Sequence, residues 1–307
     1  MTPLCILGPT ASGKSAVAMA VADANPDVEL VSIDSMQVYR GMDVGTAKPT
    51  AEERARVRHH LLDLADPWEE FTVSLFQAEW LAVQADIIER GRIPVLVGGT
   101  GLHLRAVIDA LEIPGRYPEE RIELEAAAAH DLPGLFRRLE ELDPTAAARI
   151  DPGNDRRIVR ALEVTLGSGR PFSSYGPGLE EYPAIPFRLL GLRLDRAAMD
   201  ERINRRYDVQ MADGFLEETR ALLDDPRGIG RTARQALGYR ELLRHLEEGE
   251  RLDEMLEEAR VRTRRFARRQ LKWFGRDPRI EWIELDATGT VRHDRAIERA
   301  IALAAAG

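Results

Sequence analysis

The stretch Gly8-Pro9-Thr10-Ala11-Ser12-Gly13-Lys14-Ser15 constrains this chain more than any other. It fits the pattern G-x-x-x-x-G-K-[ST], and its surroundings turn the pattern into a mechanism. The apolar run Leu4-Cys5-Ile6-Leu7 precedes it, and Ala16 to Ala22, with good helix-forming character, follows it. Strand, glycine-rich turn and helix start therefore come in order. Backbone N–H groups of such a turn converge on an anion, and the helix N-terminus adds its positive end. Lys14 is expected to lie along the phosphates and the Ser15 hydroxyl to hold Mg²⁺, with Gly8, Pro9, Thr10, Ala11, Ser12 and Gly13 completing the cradle. The loop binds a di- or triphosphate. It does not say what becomes of it.

Alternating strand and helix signals extend the argument. Glu29 to Ile33 is a second apolar, β-rich run that ends at Asp34-Ser35-Met36-Gln37, and His59 to Leu64 is a candidate third strand. Phe71 to Arg90 has apolar residues at helical spacing, and Ile93 to Val97 is a buried-type strand running into Gly98-Gly99-Thr100-Gly101-Leu102. This alternation argues for an α/β chain with a parallel sheet flanked by helices. Ligands of such sheets bind beyond the carboxyl ends of the strands, where the phosphate loop, Asp34 to Gln37 and Gly98 to Leu102 meet. From Pro114 to Pro183 the strand signals vanish, and Pro and Gly mark both edges (Pro114-Gly115; Gly176-Pro177-Gly178, Pro183). The expected organisation is a core of residues 1–113 and 184–307 with a helical insertion at 114–183, in which Ala146 to Leu166 is the strongest helical region. Phe187 to Leu194 and Ile280 to Leu285 return as strands, and a long helix is expected from Leu252 to Gly275.

The chain of 307 residues has one cysteine, Cys5, so neither a disulfide framework nor a Cys/His zinc cluster is available. It opens into a strand, with no room for a signal peptide, and carries no membrane-length apolar run; the cytoplasm is the expected location. The net charge of −9 argues mildly against a nucleic-acid partner, but the charge is uneven. Arg260, Arg262, Arg264, Arg265, Arg268, Arg269 and Lys272 put seven cations within thirteen residues with no acid among them. Leu256, Ala259, Thr263, Phe266, Gln270 and Trp273 form the seam by which that helix faces the protein. A single-sign run in an acidic protein repels itself and is costly without an anionic partner, so the helix points to a polyanion. Arg149, Arg156, Arg157 and Arg160 form a second basic group, in a helix that Pro152-Gly153 interrupts. At the strand ends, Asp34 is a carboxylate able to take a proton or touch Mg²⁺, and Thr100 can hydrogen-bond a leaving group or a base.

These blocks together resemble the tRNA dimethylallyltransferase (isopentenyltransferase) family of bacterial type. The resemblance runs through residues 8–15, the specific block Asp34 to Pro49, His-His-Leu-Leu-Asp at 59–63, Val-Gly-Gly-Thr-Gly-Leu at 97–102, residues 154–164, Ala-Leu-Gly-Tyr-Arg-Glu at 236–241 and residues 263–274. It implies a P-loop NTPase-like fold that transfers a dimethylallyl group from dimethylallyl diphosphate to the exocyclic amine of the adenine 3′ of the tRNA anticodon. The phosphate loop then holds a diphosphate leaving group, with Lys14 among the catalytic residues. By the same resemblance Asp34 is the general base and Thr100 sits beside the reacting groups. Asp34, Ser35, Met36 and Gln37 contact the target nucleotide, and Arg156, Arg157, Arg160, Arg264, Arg265, Arg268, Arg269 and Lys272 contact the anticodon stem-loop. The implied enzyme is a Mg²⁺-dependent monomer with no membrane partner. His103 stands where the family has Tyr, Arg156 where it has Gln and Arg268 where it has Lys, and the zinc finger of eukaryotic members is missing.

Two other readings fit parts of the chain. A small-molecule kinase accounts for the first hundred residues and leaves the cationic run unexplained; a nucleotide-dependent RNA-binding switch accounts for the run without chemistry. The first predicts phosphate transfer from ATP to a metabolite, the second RNA-stimulated nucleotide hydrolysis, and prenyl transfer predicts diphosphate release that needs both donor and tRNA.

Overall fold

The computed structural model describes residues 2–176, 178–285 and 291–305; Pro177, one of the edge residues noted above, lies outside them. The expected parallel sheet flanked by helices is what forms. Its strands are β1 (Leu4–Leu7), β2 (Val28–Ile33), β3 (His59–His60), β4 (Ile93–Gly98), β5 (Arg188–Leu194) and β6 (Ile280–Leu285), all parallel in the order β3-β2-β4-β1-β5-β6. Every residue of β1 and β2 is buried, Glu29 and Ser32 included, as strands covered on both faces must be.

Register decides where the loops emerge. Leu7 and Ile33 both pair with Gly98, so β1, β2 and β4 end in one row. The residues that follow (Gly8, Asp34 and Gly99) leave the sheet side by side at its carboxyl edge. One expectation needs correcting here. The strand expected over His59 to Leu64 stops at His60, because Leu61 and Asp63 take left-handed backbone conformations (φ 60° and 56°). That turn delivers Asp63 to the buried amine of Lys48, which it meets at 2.6 Å, and to Arg54 at 2.8 Å.

The helices are α1 (Lys14–Ala24), α2 (Ala51–Arg56), α3 (Val73–Glu89), α4 (Gly101–Ile108), α5 (Pro118–Leu142), α6 (Pro144–Ala147), α7 (Asp155–Ser168), α8 (Arg196–Ala212), α9 (Phe215–Leu223), α10 (Tyr239–Glu248), α11 (Leu252–Phe274) and α12 (Val291–Ala305). The chain divides into two compact units, one running to Ile108 and resuming at Ala184, the other Asp109–Pro183. In the first, α3 starts at a Thr72 cap and buries Phe76, Trp80 and Ile87 on one face. The seam expected on α11 buries Ala259, Thr263 and Gln270, with Met255, Ala267 and Phe274 added to it.

The second unit has its own core, built on Leu124, Leu135, Leu139, Ile158, Val159 and Leu162. Helix α5 kinks at Asp131 (φ −144°, ψ 69°), two residues before Pro133, and the Asp131 carboxylate restarts the helix by accepting the Gly134 N–H at 2.8 Å. Ala146 to Leu166 is not one helix. Pro152-Gly153 falls in a turn between α6 and α7, and Asn154 caps the new start by accepting the Arg157 N–H at 3.2 Å. Arg149 therefore does not share a helical face with Arg156 and Arg160.

Candidate active site

The phosphate loop folds as its composition requires. Ala11 (φ 63°) and Gly13 (φ 89°) are left-handed, which turns successive N–H groups toward one side, and α1 begins at Lys14. The Lys14 ammonium donates to the Pro9 carbonyl at 2.7 Å and so lies back across the loop. Burial lowers its pKa to about 8, with Arg206 adding to the effect and the Asp34 carboxylate opposing it. Ser15 is exposed in the first turn of α1.

One row away, Asp34 closes a tight turn: its Oδ1 accepts the N–H groups of Met36 at 2.8 Å and Gln37 at 3.4 Å. Its Oδ2 has no hydrogen bond among the described residues, so half of the carboxylate is held and half is available. Thr100 Oγ1 accepts the Ser35 N–H at 3.2 Å, and the Thr100 N–H reaches the Ile33 carbonyl at 3.4 Å. With an acceptor lone pair used, the threonine O–H remains as a donor.

These groups line one cavity of about 580 Å³, with Lys14 and Ser15 from the phosphate loop, Asp34 to Gln37 from β2, and Gly98 to Thr100 from β4. The Gln37 side chain is engaged within the fold: its Oε1 accepts from Ser32 Oγ at 2.7 Å and its Nε2 donates to the Thr46 and Ala47 carbonyls, each at 3.1 Å. It buttresses the turn from Thr46 to Ala47. The same segment is pinned from below, where the Glu218 carboxylate accepts the N–H groups of Asp43, Val44 and Gly45 at 2.8–3.1 Å.

Two residues that sequence reasoning missed complete the cavity wall. Arg206 of α8 donates from Nη1 to Thr10 Oγ1 at 2.7 Å, beside the anion cradle. Its Nε is buried without a partner among the described residues, and burial pushes its pKa down. Gln270 of α11 reaches both Thr10 and Gly99. No short pattern announces either one; Arg206 is one of several cations on an ordinary helix.

The basic helix departs from expectation. Arg260 pairs with Asp208 at 2.6 Å, Arg262 with the buried Glu241, Arg264 with Glu257 at 2.8 Å and Asn204 at 2.7 Å, and Arg268 with Asp200 at 3.5 Å. The run is thus free of acids in sequence but not in space, and self-repulsion does not by itself demand a polyanion. Arg265, Arg269 and Lys272 are exposed and make no ion pair among the described residues; Arg269 also lines the cavity. In the second unit, Arg156 and Arg157 are exposed with no side-chain hydrogen bond among the described residues. Arg160 instead donates to Glu163 at 2.7 Å and to the Pro114 carbonyl at 2.9 Å. His103 packs edge-on against Phe76 at 4.7 Å, and burial lowers its pKa to about 4, so it is neutral at pH 7.

Among the described residues no group of three or more His, Cys, Asp or Glu could hold a metal ion, and no helix is long and apolar enough to cross a membrane. Among the oxygen donors that line the cavity are the Ser15 hydroxyl and the Asp34 carboxylate. Such hard oxygen donors fit a Mg²⁺, which Ser15 and Asp34 would help to hold.

Known proteins resemble this chain along most of its length. The model of the IPP transferase family matches residues 37–277. The tRNA dimethylallyltransferase of Salinispora tropica is 48% identical over 291 residues, 94% of this chain and 90% of that protein. Its counterpart in Thermobifida fusca is 46% identical over 302 residues, 96% of this chain and 93% of that protein. Among solved structures, a tRNA isopentenylpyrophosphate transferase from Bacillus halodurans superposes with a TM-score of 0.71 at 37% identity, over 100% of this chain and 96% of that one. A eukaryotic dimethylallyltransferase acting on tRNA gives a TM-score of 0.77 at 25% identity, over 97% of this chain and 78% of that one.

Proposed function

This chain belongs to the IPP transferase family, and we propose that it transfers a dimethylallyl group from dimethylallyl diphosphate to the N6 amine of the adenine 3′ of a tRNA anticodon, in the cytoplasm, releasing diphosphate. One observation carries the reading. The strand register brings an anion cradle, an ammonium and a half-free carboxylate to one cavity, with Lys14, Asp34 and Thr100 all on its wall.

The chemistry follows from what each group can do. The loop N–H groups, Lys14 and Arg206 bind the diphosphate and stabilise the negative charge that grows on it as the allylic C–O bond breaks. The adenine amine is a poor nucleophile because its lone pair is delocalised into the ring. Its nitrogen attacks the allylic carbon, and the proton it must shed passes to the free oxygen of Asp34. The hydrogen bonds from Met36 and Gln37 hold the carboxylate in place for that transfer, and Thr100 donates its O–H toward the leaving group or the base. Ser15 would hold a Mg²⁺, which would supply further neutralisation of the leaving group. The target base must leave the anticodon-loop stack to reach the cavity. Arg265, Arg269 and Lys272, and in the second unit Arg156 and Arg157, grip the phosphates of the stem-loop.

Mass spectrometry of nucleosides from unmodified tRNA, incubated with the protein, Mg²⁺ and dimethylallyl diphosphate, tests the reading. The expected product is adenosine heavier by one dimethylallyl group at a single anticodon-loop position. Unaltered adenosine would refute it.

A further inference from the structure

Thr10 and Gly99 lie on different loops, and one buried side chain ties them together. Gln270 Oε1 accepts the Thr10 N–H at 2.9 Å, and its Nε2 donates to the Gly99 carbonyl at 2.8 Å. The residue is 7% exposed, and both ends of its amide are satisfied by the protein. The fit is tight: a Cβ on Gly99 would lie 2.4 Å from Gln270 Nε2, so that position must be glycine for the amide to enter. Thr10 is fixed a second time through its hydroxyl, by Arg206. The next residue after Gly99 is Thr100, whose hydroxyl meets the turn that carries Asp34.

We propose that Gln270 is a positioning residue for the transfer reaction: its amide sets the separation between the diphosphate cradle and the loop that aligns Thr100 and Asp34. The role rests on the reaction proposed above. Gln270 has both polar ends occupied by protein and touches neither substrate in this reading. It acts on the angle and distance between donor carbon and attacking nitrogen, to which rate is steep. It also gives α11 a second task, since its neighbour Arg269 is one of the exposed cations of the RNA-facing side.

Two variants test this. Gln270→Met keeps the length and removes both hydrogen bonds; kcat should fall about a hundredfold, while the KM for donor and the Kd for tRNA stay within about threefold. Gln270→Glu has a sharper signature. Its carboxylate still accepts the Thr10 N–H but confronts the Gly99 carbonyl with a second acceptor, whereas the protonated acid can donate to that carbonyl and restore both bonds. The ratio of its kcat to wild type should therefore rise as pH falls from 8 to 5.5, which loss of packing would not produce. A kcat within threefold of wild type for Gln270→Met, an effect confined to KM, or a ratio for Gln270→Glu that is flat with pH would overturn the proposal. Should Gln270→Met fail to fold, the pH profile of Gln270→Glu decides alone. Wild-type protein that forms no dimethylallyl-adenosine in the same assay would overturn the reaction and this role with it.

Discussion

Residues 8–15 and residues 260–272 are each a contiguous anion-directed motif in sequence, and the fold treats them in opposite ways. The phosphate loop keeps its function local: strand end, left-handed turn and helix start are all adjacent in sequence, and Lys14 folds back onto Pro9 within its own loop. The cationic run of α11 is divided by partners that lie elsewhere in the chain. Asp200, Asn204, Asp208 and Glu241 claim four of the arginines across 21 to 68 residues of chain, and leave Arg265, Arg269 and Lys272 outward. A motif whose chemistry is made by its own backbone survives translation into three dimensions intact. One made by side-chain charge alone does not, because acids brought by other helices rewrite it.

That contrast can be broken experimentally, and the largest effects belong to the cavity. Asp34→Ala should lower kcat on the order of a thousandfold while tRNA affinity stays within threefold, as filter binding would measure. An equal loss of binding would make Asp34 a recognition residue and not a base. Lys14→Met should lower kcat/KM for the donor by a few hundredfold in steady-state assays, since it removes one fixed charge from the leaving-group site.

The helix should show smaller and divided effects. Exchanging Arg265, Arg269 and Lys272 for Gln should weaken tRNA binding about tenfold or more and flatten the log–log salt slope by roughly two to three. Exchanging the paired Arg260 and Arg264 for Gln should change that slope by less than about one and lower Tm by a few degrees instead. Similar slopes for both sets would erase the distinction drawn here.

The subtlest prediction concerns the lysine itself. Its folded-state pKa of about 8 means that the free protein loses this proton as pH rises through 8. Diphosphate favours the charged form, so binding above that pH must take up a proton. Affinity for diphosphate should fall about tenfold between pH 7 and 9, with calorimetry in buffers of different ionisation enthalpy reporting uptake approaching one proton. No buffer dependence would contradict the environment described for Lys14.

Legibility in the sequence followed the same division. The buried strands, their alternation with helices and the loop at 8–15 are local patterns, and they located Asp34 and Thr100 because strand ends in a parallel sheet converge. Helix interruption at Pro152-Gly153 was equally local. Arg206 and Gln270 were not legible, because both act through Thr10, 196 and 260 residues away, and Gln270 also through Gly99. The strand end at His60 was missed because Leu61 and Asp63 are left-handed and Asp63 is held by Lys48 and Arg54, partners that no apolar run records. Gln37 resembles a base-reading residue in sequence, yet its amide is consumed by Ser32, Thr46 and Ala47.

The central claim is that a cradle of the kind that holds nucleotide phosphates here holds a leaving group whose departure is tied to attack by an RNA amine. The most direct test is the stoichiometry of diphosphate release. One diphosphate should appear per dimethylallyl group incorporated, and only when donor and unmodified tRNA are both present. Diphosphate release without tRNA, or inorganic phosphate from ATP in place of diphosphate, would contradict it.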